Sequence, residues 1–452
     1  MIYSWMLENF GYPLFQAVYK QRNVIGILRE LRKTQWLSES EIKDQQWQLL
    51  KSLLRQGYDH VPFYRKRFSQ LGLTPDDIQN WDDFAKLPPL TKNDIRQNFD
   101  SLIADNVEKS RLMPGRSGGS TGKPTHFYRT IVSGDYVTAA TFRNAEWAKW
   151  RLGSKYVNIS GSHYDHSRFK QFRAKLLASY IRRKDFTAIN LSAEKARDYF
   201  SVIRRFKPIV LWGYASGVYA LSKFAHNLGE DDITFDSIIV SSDTLFDEQR
   251  KFIEETFRCN VFNLYGSREA HIAGECERRK GFHIAAESVY IEVVDEHNQP
   301  IIGKPGRILV TDLRNLGFPM IRYEIGDVAT RTEKLCPCGR GLPLLESING
   351  RIEDFIVTPS GGIVSPPAFT VPFSDVVNID DYQIIQNKID SVDVLLVKTS
   401  KFIEDDFDHL KYALQDMLGK DMSINFKFVN AIDRGVSGKR RVVISSVKPD
   451  FL

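Results

Sequence analysis

The sequence predicts an α/β protein in two unequal parts: a large N-terminal unit on a mainly parallel sheet with flanking helices, then a small α+β unit. Three observations carry that expectation. Short apolar runs at 156–160, 209–214, 237–243 and 260–266 alternate with helical periodicity over 216–227 and 247–257. Such strand–helix alternation argues for parallel strands covered by helices, with ligands at the carboxyl ends of the strands. From Tyr290 the pattern changes, and YIEVVDEHNQPI and GRILVTDL read as a hairpin turning at 297–300. Past Gly350 two strands, a helix over 404–418 and two further strands follow, which places a boundary near Arg351–Asp354 and divides the chain into 1–352 and 353–452.

Ahead of the sheet, Ile42, Leu49, Leu50, Leu53 and Leu54 recur at helical spacing over 41–56. HVPFYRKRF reads as a turn entering a second short helix, and Thr91 as the N-cap of a third. Aromatic-rich helical sequence is expected over 133–150. The first 35 residues alternate aromatics (Trp5, Phe10, Tyr12, Phe15, Tyr19) with bases (Lys20, Arg22, Arg29, Arg32, Lys33). A helix packed on the domain surface and an amphipathic segment in peripheral contact with a membrane both fit that pattern.

At 452 residues the chain exceeds one hydrophobic core, and its 42% hydrophobic and 26% charged content is that of a globular protein. No apolar run is long enough to cross a bilayer, and the start is a poor secretory signal. Four cysteines make no disulfide scaffold, so a reducing cytoplasm is expected. A net charge of +6 favours anionic small molecules and gives no argument for nucleic acid.

The chain is organised around RSGGSTGKPTHF. Gly118, Gly119 and Gly122 let the backbone turn its N–H groups onto an anion; Ser117, Ser120 and Thr121 add hydroxyls, and Lys123 a mobile charge. It is not a Walker A loop, because Pro124 follows the lysine where a hydroxyl residue is required. Standing alone, it would be a polar surface loop. Four further signals follow in order: LYGSREA with Tyr265, Gly266, Ser267, Arg268 and Glu269; FPMIRYEIGD with Arg322 and Asp327; NGRIEDFI with Arg351; and SGKRR with Lys439.

This series resembles the adenylate-forming superfamily. SGGSTGKPT, LYGSREA, NLGFPMIRYEIGD and the pair CPCGRGLP–NGR look most like its phenylacetate–CoA ligase branch and relatives in capsular polysaccharide biosynthesis. The resemblance runs from about Tyr58 to Val447. It implies a large domain of mixed, mostly parallel sheets with a barrel-like part, a small mobile C-terminal domain, and ATP-dependent conversion of a carboxylic acid to an acyl-adenylate. The acyl group would pass to CoA, or to an amine such as an amino sugar; a catalytically silent nucleotide-binding scaffold is the alternative.

By the same resemblance, Ser117 to Lys123 would hold the departing phosphates and Glu269 would bind Mg²⁺. Tyr265 would flank the adenine, Asp327 would accept the ribose hydroxyls, and Arg351 would assist at ribose or phosphate. Lys439 would neutralise charge at the attacked α-phosphate, after closure about a hinge at Glu353 or Asp354. Two positions depart from the family pattern: Arg268 stands where a threonine is usual, and Asp243 where a glutamate is usual. His163, Tyr164, His166, Trp212 and Tyr214 are candidates for the acid pocket, although aromatics there are more often core.

Cys276, His283, Cys336 and Cys338 are a sufficient set for a closed tetrahedral zinc site. The C-x-C spacing is tighter than usual, and spacing alone leaves four reduced thiols and a solvated histidine equally open. The position of CPCG just ahead of Arg351 favours structural zinc. Cys259 is left over as a small buried hydrophobe.

Overall fold

The computed structural model describes residues 2–20, 22–117, 125–160, 176–188, 191–351, 355–360, 363–364, 369, 372–373, 378–433 and 441–447. A hairpin of β1 (Met113–Arg116) and β2 (His126–Arg129) brackets the Gly-rich stretch, with Arg116 opposite His126. Next in the chain come β3 (Tyr156–Ser160), β4 (Arg183–Thr187), β5 (Val210–Tyr214), β6 (Ser237–Ser241) and β7 (Val261–Gly266). These five strands pair in parallel in the order β4-β3-β5-β6-β7. The helices Ala215–Leu228 and Asp247–Phe257 make the crossovers and bury Val218, Leu221, Ala225, Ile253 and Phe257. Strand β6 is buried from Ser237 to Val240 around the apolar run Ile238–Val240, as a strand covered on both faces must be.

From β7 the same sheet turns antiparallel. It continues through β8 (His271–Glu275), β9 (Phe282–Ile284), β10 (Val289–Val294), β11 (Pro305–Asp312), β12 (Tyr323–Thr332) and β13 (Leu344–Arg351), in the spatial order β7-β8-β9-β13-β12-β11-β10. The parallel expectation therefore describes 156–266. The antiparallel strands from β8 to β13 continue that sheet. The expected hairpin is β10–β11, and Asp295 accepts from the His297 and Gln299 N–H groups in its turn.

On the N-terminal side, Glu39–His60 begins at a Ser38–Glu41 capping box and buries Ile42, Leu50, Leu53 and Leu54. Thr91 caps Lys92–Gln97 with Asp94 as its reciprocal partner, where the sequence expects a cap. The first residues are helical, with Ile2, Trp5, Met6, Phe10 and Leu14 exposed. Among the described residues, no helix is long and apolar enough to cross a membrane.

Beyond Arg351 lies a separate four-stranded sheet. β16 (Ile379–Lys388) and β17 (Ser391–Lys398) form its central hairpin, flanked by β18 (Ser423–Phe428) and β19 (Val443–Ser445), while β14 (Ile356–Val357) and β15 (Ile363–Val364) pair by themselves. The helix Glu404–Leu418 packs on it through Leu410, Leu414 and Leu418. Both outer strands run parallel to their neighbours, because a crossover precedes each.

Candidate active site and a cysteine–histidine cluster

Asp327 lies in β12, directly opposite Arg351 of β13. Gly326 just before it has φ +89°, a backbone that glycine adopts without a Cβ clash. The Tyr265 hydroxyl donates to Asp327 Oδ2 at 2.7 Å, and Arg351 Nε stands 3.4 Å from Oδ1. Burial first, and then the adjacent Asp327 carboxylate, hold the Tyr265 phenol well above its ordinary pKa, so it remains a donor. Three positions that the sequence spreads over 87 residues therefore share one hydrogen-bonded group; the interval is 351 minus 265 plus one.

Glu269 sits in the turn after β7. The Ser267 hydroxyl accepts from the Glu269 and Ala270 N–H groups, and the Ser267 N–H donates to the Ala270 carbonyl, which closes the turn. The Glu269 side chain is buried, and its Oε1 accepts from the Tyr323 hydroxyl at 3.4 Å. Burial and then Glu269 itself keep that phenol protonated. Among the described residues no arginine or lysine forms an ion pair with Glu269, so this buried carboxylate is suited to a metal cation.

Arg129 ties this turn to the β1–β2 hairpin: its Nη2 donates to the carbonyls of Arg268 (2.5 Å) and Glu269 (2.9 Å). Arg268 is exposed, and its Nη1 reaches the Arg116 carbonyl at 3.5 Å. At the mouth of the hairpin the Ser117 N–H donates to the Thr125 carbonyl, and the Ser117 hydroxyl accepts from the Thr125 N–H, both at 2.8 Å. Ser117 thus clamps the base of the Gly-rich stretch beside Gly266 to Glu269. Gly118, Gly119, Ser120, Thr121, Gly122, Lys123, His163, Tyr164, His166, Glu353, Asp354 and Lys439 lie outside the described residues.

Other candidates take quieter places. The Asp243 carboxylate, just after β6, accepts from the N–H groups of Ala215 (2.7 Å) and Ser216 (3.1 Å). It therefore caps the helix that leaves β5, where the helix dipole favours an anion. Trp212 packs with Trp150 and Tyr156, at ring distances of 5.9 and 6.2 Å. Tyr214 is the residue on which β5 ends and the next helix begins. Arg322 is a core clamp: it is 1% exposed, pairs with Glu292 at 3.0 Å and donates to the Ala85, Leu87 and Asn298 carbonyls. Sequence reasoning missed Arg129 and Tyr323 as supports of the Glu269 turn. Tyr323 stands inside the quoted run MIRYEIGD, whereas HFYR carries no signal that singles out Arg129.

The second cluster lies where β8 and β9 meet the segment entering β13. The ligand atoms of Cys276, His283, Cys336 and Cys338 all lie within 4.8 Å of one another. Cys276 Sγ is 3.6 Å from Cys336 Sγ, and Cys338 Sγ is 3.3 Å from His283 Nε2. Two thiolates on one tetrahedral zinc stand about 3.8 Å apart, so the set has the right spacing. The Arg278 and Arg340 N–H groups donate to Cys276 and Cys338, and His283 Nδ1 lies 3.4 Å from the Leu342 carbonyl, as the far nitrogen of a metal-bound imidazole should. Arg340 pairs with Glu277, bonds Gln35 and lies over the rings of Trp36 and Trp147, joining the cluster to the N-terminal helices.

A family model described as the CapK C-terminal domain matches residues 356–446. The chain is 27% identical over 370 residues to Protein CapK of Staphylococcus aureus, covering 80% of each chain. To the phenylacetate-coenzyme A ligase of Pseudomonas putida it is 28% identical over 329 residues, covering 71% of this chain and 73% of the relative. A solved 2-hydroxyisobutyryl-CoA ligase in the postadenylation state superposes with a TM-score of 0.72 at 20% identity, over 91% of both chains. The ordered signals from Ser117 to Arg351, the two sheets and these likenesses agree: the chain is similar over most of its length to CapK and to phenylacetate–CoA ligase, and its residues 356–446 match the CapK C-terminal domain family.

Proposed function

We propose that this chain joins a carboxylic acid to the α-phosphate of ATP and passes the acyl group to coenzyme A. The observation that carries the reading is the Tyr265–Asp327–Arg351 group beside the buried Glu269, at the carboxyl end of β7 where a parallel sheet presents its ligands. Asp327 accepts the two ribose hydroxyls, and Tyr265 flanks the adenine. Glu269 would hold a magnesium ion, which would offset phosphate charge. The stretch from Ser117 to Lys123 cradles the β- and γ-phosphates.

A carboxylate oxygen of the acid attacks the α-phosphorus, the bond to the β-phosphate bridging oxygen breaks, and pyrophosphate leaves with the electron pair. Two anions must meet, so the barrier is mainly electrostatic, and cationic side chains from both parts of the chain lower it. Arg351 contributes from the large part and Lys439 from the small one, with the division near 352/353; the small sheet's own core, joined from the large part by Phe246, supports that division. In the second step the CoA thiolate attacks the acyl carbonyl and AMP departs. The thiol cluster is a structural zinc site, since all four ligands are protein groups and leave no open position.

The test is AMP release with and without CoA in the presence of an activating acid. CoA-dependent release supports the proposal. Release that ignores CoA and responds to an amine, such as an amino sugar, reassigns the acceptor.

A further inference from the structure

The first helical stretch of the chain turns one face to the protein and another to solvent. Leu7 and Gln16 are buried, the Tyr3 hydroxyl donates to the Tyr180 carbonyl at 2.7 Å, and the Tyr12 ring lies 6.1 Å from that of Phe142. Glu8 accepts from both Nη groups of Arg32, which also pairs with Glu146. The segment is therefore docked along its length, yet Ile2, Trp5, Met6, Phe10 and Leu14 are each more than half exposed. Ile2, Met6, Phe10 and Leu14 recur at every fourth residue. A pure α-helix would carry such a repeat around its axis by about 40° per step. The π-turn at Leu7–Gly11 is wider and takes up that drift, so the exposed side chains keep to one face. Leu176, also more than half exposed, stands one turn before Tyr180, which Tyr3 and Phe15 both meet. The other exposed large apolar side chains among the described residues are spread singly along the chain, which is ordinary; a cluster is not.

The charge around this patch decides what covers it. Arg29 Nη2 donates to Asn9 Oδ1 at 2.8 Å, the Arg182 guanidinium lies 5.1 Å from the Tyr3 ring, and Arg151 adds positive charge beside Glu8. Arg22 and Asp135, beside Tyr12, cancel. With Glu8 and Glu146 both spent on Arg32, these four arginines stand against two carboxylates. A two-fold pairing of copies through this face would bring the arginines toward their own equivalents. An anionic lipid surface neutralises them instead, and its headgroup layer is where tryptophan and arginine settle beside aliphatic side chains.

We propose that this face lies in the headgroup layer of an anionic membrane, with the helix in the plane of the surface. The contact is peripheral, since no helix among the described residues is long and apolar enough to cross. It does not depend on the adenylation reading.

Co-sedimentation of the full chain with vesicles tests it, using phosphatidylglycerol and phosphatidylcholine in equal parts beside pure phosphatidylcholine. The wild type should bind the anionic vesicles at least about fivefold better than the neutral ones. Trp5→Ser combined with Phe10→Ser should weaken that binding by about tenfold or more, because two apolar side chains leave the interface. Arg29→Gln and Arg182→Gln should each weaken it about fivefold at low salt. Tyr412→Ser, at an exposed aromatic of the small part, should leave it unchanged. A thermal melt accompanies each variant, and Leu14→Ser replaces the double variant should that unfold. The proposal is overturned if the wild type stays in solution with anionic vesicles, if it binds both vesicle types alike, or if the loss of Trp5 and Phe10 changes nothing. A dimer in sedimentation velocity that the double variant loses, with no vesicle binding by the wild type, would overturn it in favour of a second copy.

Discussion

Asp327 and Arg351 face each other across β12 and β13, with Arg351 Nε 3.4 Å from one oxygen of a carboxylate whose other oxygen is held by Tyr265. A carboxylate fixed from two sides cannot rotate away from a ligand, so binding loses little entropy there. Replacing Asp327 with Asn should lower kcat/KM for ATP by about 100-fold, the loss of two charge-assisted hydrogen bonds. Its melting temperature should fall by less than about 4 °C, because asparagine keeps the size of the side chain and an oxygen that accepts from Tyr265. A large melting shift with normal ATP kinetics would assign the pair to folding.

Arg129 acts through the turn it holds. Arg129→Ala frees the Arg268 and Glu269 carbonyls, so the magnesium ligand loses its placement. The expected outcome is a rise of about tenfold in the Mg²⁺ concentration for half-maximal activity, with a smaller change in KM for the acid. An unchanged magnesium profile beside a general loss of stability would make Arg129 structural only.

Lys439→Ala should abolish adenylation and leave the melting temperature nearly unchanged. The measurement is acid-dependent pyrophosphate release beside a thermal melt. A steep fall in melting temperature would mean that the lysine supports the fold.

The metal cluster has a stoichiometric readout. Purified protein should carry one zinc per chain by elemental analysis, and Cys336→Ser should lose it and melt about 5–10 °C lower. Full-strength melting with no metal would refute the site. Cys259 is the internal control, since burial, aided by Glu254 and Asp236, pushes its thiol up to about 12. A raised thiol pKa means the reactive thiolate is scarce at pH 8 and grows about tenfold per pH unit above it. Iodoacetamide at pH 8 should therefore label no cysteine in the holoprotein and, after chelation, Cys338, the half-buried member of the set. Labelling of Cys259 in the native state would contradict its burial.

The parallel half of the sheet was legible because β5, β6 and β7 are short apolar runs with helices between them. The strands β1 and β4 were not, because MPGR contains Pro and Gly and RKDFT is charged, as an edge strand tolerates. β12 was hidden for another reason: Gly326 reads as a turn, yet the strand continues through it with register shifts at Val328/Ala329 and Thr330/Arg331. Residue types announced Tyr265, Glu269 and Asp327, but only the fold shows that Tyr265 donates to Asp327. Asp243 also holds the N–H groups of Ala215 and Ser216, a capping contact that the sequence pattern does not announce.

The most direct measurement of the central claim is ATP–pyrophosphate exchange over a panel of aryl, fatty and amino acids, run with the wild type and Asp327→Asn. Exchange that depends on at least one acid, and that collapses in the variant, is the expected result. Silence across the whole panel while ATP still binds would contradict adenylation and leave a nucleotide-binding scaffold.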